Sequence, residues 1–419
     1  MAQKNIRKAG GRMMSFGQIN EMKKQRTRLG GVDPTFLVVV LILLGVGILM
    51  MFSASYAIAI NEGKDGYFYA VRQAVFAGIG LVAMMVMSFV DYRIFQKGWV
   101  ALAAYVGSVL MLILVLLVGT DLGTGCKRWI NLGFTTFQPS ELAKFAVVIL
   151  FAYAIDKNYD NMKKAKIGVI PFMLMLGIIA ALLMKQPHLS CTILICLIGV
   201  VLMFVGGARV WHLLIAGLLA VAAVVGLVIY KTNEEGYSYF GQRLSTWLHP
   251  FDSTDLASTW QSRQSLIAIG SGGVFGLGLG ESRQKYLYLP EAENDFVFAV
   301  VCEELGLVGA ITVILLFVML VVQGFHIASS AKDRFGMLIT IGFTLQIGLQ
   351  AFINMSVVSG LVPNTGISLP FFSYGGTALI MQLMQMGIVL NVSRQRYAAV
   401  SSAPPPKAVV SEPIVRNEA

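Results

Sequence analysis

Lys285-Tyr-Leu-Tyr-Leu-Pro-Glu-Ala-Glu-Asn-Asp295 runs straight into the apolar Phe296-Val-Phe-Ala-Val-Val301. Three carboxylates, Glu291, Glu293 and Asp295, therefore stand at the mouth of a hydrophobic helix. An acid held near hydrocarbon is costly, and such a side chain faces a cavity, a partner charge or a ligand. The stretch also closes the longest polar interval between apolar segments. It marks both the start of a membrane span and a polar site beside it.

Composition widens that reading to the whole chain. Of 419 residues, 56% are hydrophobic and 13% charged, and the mean hydropathy is +0.73. A soluble domain of this length cannot hide so much apolar surface behind so few charges. Several separate apolar runs reach the roughly 20 residues that a helix needs to cross a bilayer. The fold class is an all-α polytopic membrane protein, because helices satisfy their own backbone groups in lipid.

Ten spans are read at 35–57, 73–90, 99–118, 138–155, 167–184, 189–206, 210–230, 296–324, 335–358 and 376–392. With both termini cytoplasmic, 21 of the 32 Lys and Arg fall on the inner side and 14 of the 22 acids on the outer side. That is the asymmetry of the positive-inside rule. The net charge of +10 thus sorts by membrane side, which argues against a nucleic-acid partner. Residues 1–34 read as a basic cytoplasmic tail without the apolar core of a signal peptide. The ten-span membrane domain covers 35–392. Residues 393–419, with Pro404-Pro-Pro406, read as a disordered cytoplasmic tail.

Basic residues on the outer side are the exceptions: Lys127, Arg128, Lys144, Lys185, Arg243, Arg263, Arg283 and Lys285. Together they suggest an anionic ligand at the outer leaflet. Gly123-Thr-Gly-Cys-Lys-Arg-Trp-Ile-Asn-Leu-Gly133 joins glycine backbone to Lys127 and Arg128, which suits an oxyanion. Trp129 either anchors at the interface or stacks on a sugar face. Gln138-Pro-Ser-Glu-Leu-Ala-Lys144 opens the fourth span, with Pro139 in the first helical turn. Glu141 and Lys144 are spaced i, i+3, so they share a face and can pair. Charges one turn inside a span face a cavity. The 156–166 run of lysines reads as a solvated cytoplasmic loop, and His188 as a solvated turn histidine.

The outer interval 231–295 between spans 7 and 8 is far longer than an ordinary connection. Its Gln264–Gly280 part is glycine-rich and semi-apolar, too short for a span, and reads as re-entrant or interfacial. It is no nucleotide loop, because no GK[ST] follows it. Gln346, Gln350 and Asn354 line one face of span 9, and span 10 adds Gln382 and Gln385. Such amides either join helices or line a wet groove. The cysteines at 126, 191, 196 and 302 show no metal spacing, and no disulfide framework is implied.

Six motifs in order carry a resemblance. They are Lys127-Arg-Trp-Ile130, Gln138-Pro-Ser-Glu-Leu-Ala-Lys144, Gln264-Ser-Leu-Ile-Ala-Ile-Gly-Ser-Gly-Gly273, Leu289-Pro-Glu-Ala-Glu-Asn-Asp-Phe-Val-Phe-Ala299, Glu303-Glu-Leu-Gly306 and Pro363-Asn-Thr-Gly-Ile-Ser-Leu-Pro-Phe-Phe-Ser-Tyr-Gly-Gly376. The chain resembles the SEDS family (shape, elongation, division and sporulation proteins) of the FtsW/RodA/SpoVE type, from about residue 35 to 395. The resemblance implies a ten-span enzyme of the bacterial cytoplasmic membrane that polymerises lipid II into glycan strands. It implies a class B penicillin-binding protein transpeptidase as partner, among other membrane proteins of division or elongation. The family's essential acid falls on Asp295 and its outer-loop tryptophan on Trp129. Gln264, Ser265, Glu291 and Ser373, within the motifs, join the expected substrate contacts. The family often has His-Thr where this chain has Glu293-Asn294, and an acid where it has His188. The Pro-Glu-Ala spelling and the basic tail lean toward the division or sporulation branch.

The resemblance implies the chemistry. An acceptor sugar hydroxyl attacks a donor anomeric carbon, and undecaprenyl pyrophosphate leaves. A carboxylate within hydrogen-bond reach of the hydroxyl acts as general base, and Asp295 is the candidate. The leaving group needs positive charge from Lys127, Arg128, Lys144, Arg243 and Lys285, or from a divalent cation such as Mg or Mn. No cofactor is otherwise implied. The rivals are a lipid II flippase, which needs a continuous polar path, and a non-enzymatic scaffold for wall-synthesis enzymes. The polar groups gather on the outer side, which favours an enzyme of that face.

Overall fold

The structure is a computed structural model and describes residues 31–120, 128–131, 133, 135–219, 247–248, 251, 256–364 and 366–395. All of these belong to one unit spanning 31–396. The expected tails 1–34 and 393–419 lie almost entirely outside the described residues, as do Lys127 and Arg243.

Eleven helices carry the described chain: α1 (Pro34–Asn61), α2 (Phe68–Phe89), α3 (Gly98–Val118), α4 (Pro139–Lys157), α5 (Ala165–Lys185), α6 (Leu189–Val205), α7 (Val210–Leu219), α8 (Leu256–Gly272), α9 (Val297–Ser329), α10 (Arg334–Val358) and α11 (Gly376–Gln395). Among the described residues, seven are long and apolar enough to cross a membrane: α1, α2, α3, α5, α9, α10 and α11. The more charged α4 and the shorter α6 and α7 stand at the other three expected spans. The 220–230 part of the seventh span lies outside the described residues. Nine of the ten expected spans match their helices to within about five residues at either end.

Helix starts follow local chemistry. Asp33 caps α1 by accepting the Phe36 N–H at 3.0 Å, and Pro34 opens its first turn. Asp333 caps α10 through the Gly336 N–H at 2.7 Å. Its other oxygen accepts from Tyr92 Oη at 2.8 Å and pairs with Arg93 at 3.1 Å.

The bundle has a buried centre and a lipid-like rim. In α10 and α11, 67% of the apolar window is buried, against 28% in α2, α3 and α9. α4 is the central helix, with every residue from Ala143 to Ala152 buried. α2 and α11 pack at backbone distance, because Gly387 leaves room for the Met84 carbonyl.

α9 departs from a plain span. Its 33 residues rise about 50 Å, well beyond the ~30 Å hydrocarbon core. It breaks at Gly306, where φ is 66° and ψ −165°. The residues before the break, Val297 to Glu304, are all buried in protein, whereas Leu307, Val308 and Ile311 beyond it are exposed. Of the Gln264–Gly280 stretch, Gln264–Gly272 is the end of α8, and the glycine turns that follow pack on α9 at the break.

Candidate active site

Connections at one end of the bundle meet around a cavity of about 680 Å³. Its wall includes Lys64 and Arg72, Arg128 and Trp129, Glu141 and Lys144, His188, Glu291, Glu293 to Asp295, and Gly366 to Gln382 in part.

Asp295 is held by its main chain. Asn354 of α10 donates one amide N–H to the Asp295 carbonyl and another to the Ile367 carbonyl, both at 2.7 Å. Gly366 has a φ of 64°, and a Cβ there would lie 3.2 Å from Asp295 Oδ2. A glycine therefore lets the carboxylate sit against the 366 backbone. Glu291, exposed and at φ 56°, forms the preceding turn. Its carbonyl accepts from the N–H of Asn294 and Phe296, and its carboxylate from Asn294 Nδ2 at 2.6 Å.

Glu293 fills a different environment. Its carbonyl accepts the Tyr374 N–H at 2.8 Å, which ties the acidic stretch to the 369–376 segment. Its Oε2 is buried without a hydrogen-bond partner. Burial pushes its carboxyl up to about 7, helped by the charges of Glu291, Glu62 and Asp295.

Arg128 and Trp129 enter through a short hairpin, β1 (Ile130–Asn131) paired antiparallel with β2 (Thr136–Phe137). Trp129 bridges back to Thr120. Arg128 donates through Nε to the Gln186 carbonyl at 3.3 Å and through its terminal nitrogen to the Pro187 carbonyl. The guanidinium is thus fixed over the turn before α6. His188 is in that turn and is buried, 7% exposed, rather than solvated. Burial and the positive charges of Arg128 and Lys144 hold its imidazole well below its usual range, so it is neutral.

Glu141 and Lys144 pair at 2.8 Å on the cavity wall. Lys144 Nζ also donates to Gln350 Oε1 at 2.8 Å, and Gln350 Nε2 to the Ser368 carbonyl at 3.0 Å. Of the amide stripe, Gln350 and Gln382 line the cavity, whereas Gln346 and Gln385 bond to each other at 3.0 Å. Both of the roles expected for these amides are present. Ser373 lines the cavity, but its Oγ already accepts the Leu369 N–H at 2.7 Å.

Three expected contacts lie elsewhere. Lys285 is buried in an ion pair with Glu304 at 2.9 Å and also donates to the Gly280 carbonyl at 2.6 Å. Its charge is already used, so it is a structural group and not a cavity cation. Ser265 donates to the Val358 carbonyl at 2.7 Å. Gln264 is buried on α8 and does not line the cavity. In exchange, the fold brings in Lys64, Tyr69 and Arg72, which the motifs do not mark. Lys64 meets Glu62 at 2.5 Å, and Arg72 sits over the Phe68 ring at 5.5 Å. The signal available in the sequence was that both are basic residues near a connection that the charge asymmetry assigns to the outer side. Among the described residues, no three His, Cys, Asp or Glu side chains converge to hold a metal ion.

A neutral histidine, a fixed guanidinium, two further cations and a carboxylate beside an uncapped acid can bind an anionic group and accept a proton next to it. The family model described as "Cell cycle protein" (FtsW, RodA and SpoVE) matches residues 34–398. The chain is 40% identical over 376 residues to "Probable peptidoglycan glycosyltransferase FtsW" of Geobacter sp. (strain M18), covering 89% of this chain and 100% of that protein. It is 38% identical to "Stage V sporulation protein E" of Bacillus subtilis (strain 168), over 88% of this chain and 98% of that protein. Among solved structures it is similar to a chain described under "Structural coordination of polymerization and crosslinking by a peptidoglycan synthase complex", with TM-score 0.70, 28% identity and coverage of 88% and 99%. The rod shape determining protein RodA of Thermus thermophilus matches with TM-score 0.63, 28% identity and coverage of 88% and 98%.

Proposed function

This chain belongs to the FtsW/RodA/SpoVE cell cycle protein family and is a multi-pass peptidoglycan glycosyltransferase of the cytoplasmic membrane, acting in cell division or shape; on that premise we propose that Asp295 is its general base and lipid II its substrate. The observation that carries this reading is the cavity itself, which gathers Asp295 with Lys64, Arg72 and Arg128.

In the proposed step the acceptor sugar hydroxyl gives its proton to the Asp295 carboxylate as its oxygen bonds to the donor anomeric carbon. The bond from that carbon to the diphosphate oxygen breaks, and undecaprenyl pyrophosphate leaves with the electron pair. Arg128, Arg72 and Lys64 stabilise the charge that develops on it. The Glu141–Lys144 pair shapes the inner wall, and Trp129 presents a face to sugar. A divalent cation would find no preformed protein cage among the described residues, so the chain's own cations carry the charge in this reading.

The proposed topology keeps ten spans with both ends cytoplasmic, the 231–295 interval outside and the cavity open to the outer leaflet. A class B penicillin-binding protein transpeptidase is the proposed partner that cross-links the product. The amides of α10 and α11 are bonded to each other and to the 366–368 segment, which favours polymerisation over lipid II translocation. The test is Asp295→Asn in purified full-length protein given lipid II. Loss of polymer is expected, and polymer at the wild-type rate would remove Asp295 from the reaction.

A further inference from the structure

Glu303 and Glu304 are adjacent carboxylates, 0% and 1% exposed, two turns into α9 and outside the cavity lining. Two acids buried side by side are costly unless each is compensated. Here the compensation comes mostly from the segment that leads to Asp295. Glu303 accepts from Ser282 Oγ at 2.5 Å and from the N–H of Arg283 at 3.0 Å and of Gln284 at 3.3 Å. Glu304 accepts from Lys285 Nζ at 2.9 Å and the Ser282 N–H at 3.3 Å, and from Ser53 Oγ of α1 at 2.6 Å.

The backbone repeats the pattern. At the Gly306 break, the N–H of Leu307 and Val308 donate to the carbonyls of Gly273 and Val274. The carbonyls of Glu303 and Glu304 accept from the N–H of Leu277 and Gly278. Gly276 and Gly306 meet back to back, where a Cβ on either would overlap the other's main chain. The glycine turns are thus spliced into the helix. From Ser282 the chain loops out and returns to α9 at Phe296, whose N–H closes on the Glu291 carbonyl at 3.2 Å. Asp295 lies in this loop, pinned on one side to residues 303 and 304 of the helix it enters.

We infer that Glu303 and Glu304 are positioning residues of the glycosyltransferase: they fix the course of residues 282–296 against α9 and α1, and so aim the Asp295 carboxylate into the cavity. The inference rests on the proposed role of Asp295 as base. Three of the bonds are to main-chain N–H groups, so they set the path of the chain itself. Misplacing a reacting group by about 1 Å costs on the order of a hundredfold in rate.

The experiment is steady-state lipid II polymerisation by the full chain, with Glu303→Gln, the milder Ser282→Ala and Asp295→Asn measured together. Each variant is first checked for a single species and a cooperative melt. The expected result is kcat lowered by about ten- to hundredfold in Glu303→Gln and about tenfold in Ser282→Ala, with KM within about twofold of wild type. Should Glu303→Gln not fold, Ser282→Ala decides alone. A folded variant with wild-type kcat, or one whose loss falls in KM, overturns the inference while an inactive Asp295→Asn leaves the base in place. An active Asp295→Asn strikes the base assignment instead.

Discussion

Lys144 Nζ lies 2.8 Å from Glu141 Oε1, one turn earlier on α4, and the two side chains are 3% and 5% exposed. The pair therefore contributes to both fold and site, and the two roles separate by mutation. Removing one partner strands a buried charge, which costs about 3–5 kcal/mol. Glu141→Leu alone is expected to lower the melting temperature markedly and abolish polymerisation. Glu141→Leu with Lys144→Met removes both charges, and such a replacement is near neutral for stability. The double variant should melt close to wild type yet remain inactive, because the cavity wall has lost its polarity. A double variant that also polymerises would make the pair purely structural.

Glu293 predicts a pH dependence of stability. Its carboxyl is pushed from 4.5 up to about 7, mainly by burial. An acid raised on folding favours the protonated chain. Its contribution is complete below about pH 4.5 and is lost as pH rises through about 7. Glu293→Gln cannot ionise. Its melting temperature should match wild type near pH 4.5 and exceed it at pH 8, by an amount worth roughly 3 kcal/mol. Parallel melts in detergent from pH 4.5 to 8 check this; curves that stay parallel would contradict the burial of this acid.

Lys64, in the connection before α2, and Arg72, in the first turns of α2, should not be equal. Lys64 is exposed and already meets Glu62 at 2.5 Å, whereas Arg72 is half-buried on the cavity wall. Arg72→Ala is expected to lower kcat/KM for lipid II by about ten- to hundredfold. Arg72→Lys should recover part of it, since an ammonium keeps the charge but loses the planar fork. Lys64→Ala should cost only about threefold, as a screened surface charge does. Equal losses at the two positions would show that the rim acts through net charge alone.

Much of this was readable beforehand, and the misses share one cause. Apolar runs report helices directly, so the helices of the bundle were visible. Asp295, Arg128 and Trp129 stand in local motifs and do share a cavity. What a linear reading cannot see is which charge meets which. Lys285 stands among acids in sequence but pairs with Glu304, 19 residues on. Lys64 and Arg72 look like ordinary loop cations until the fold sets residues 62–72 beside 291–295. His188 is a lone turn residue that becomes buried because Arg128 closes the same turn.

Gly47 connects the interior of α1 to the cavity. It is buried, and a Cβ there would overlap the Phe371 carbonyl oxygen. Phe371 is itself at φ 67°, a conformation that costs a non-glycine residue about 1–3 kcal/mol and persists only where neighbours enforce it. Gln382 Oε1 accepts its N–H at 3.1 Å, and Ser373 Oγ accepts from Leu369 at 2.7 Å, so the 369–373 segment has little freedom to retreat. The same segment lines the cavity through Leu369, Phe371 and Ser373. Gly47→Ala is therefore expected to destabilise by about 1–3 kcal/mol and to lower the polymerisation rate. Gly45→Ala, two residues away with nothing within 4 Å of the added methyl, should be tolerated. Thermal melts and lipid II polymerisation on the two variants separate a general effect of alanine in α1 from pressure on the cavity wall. A Gly47→Ala protein that melts and polymerises like Gly45→Ala would show that the 369–373 segment yields freely.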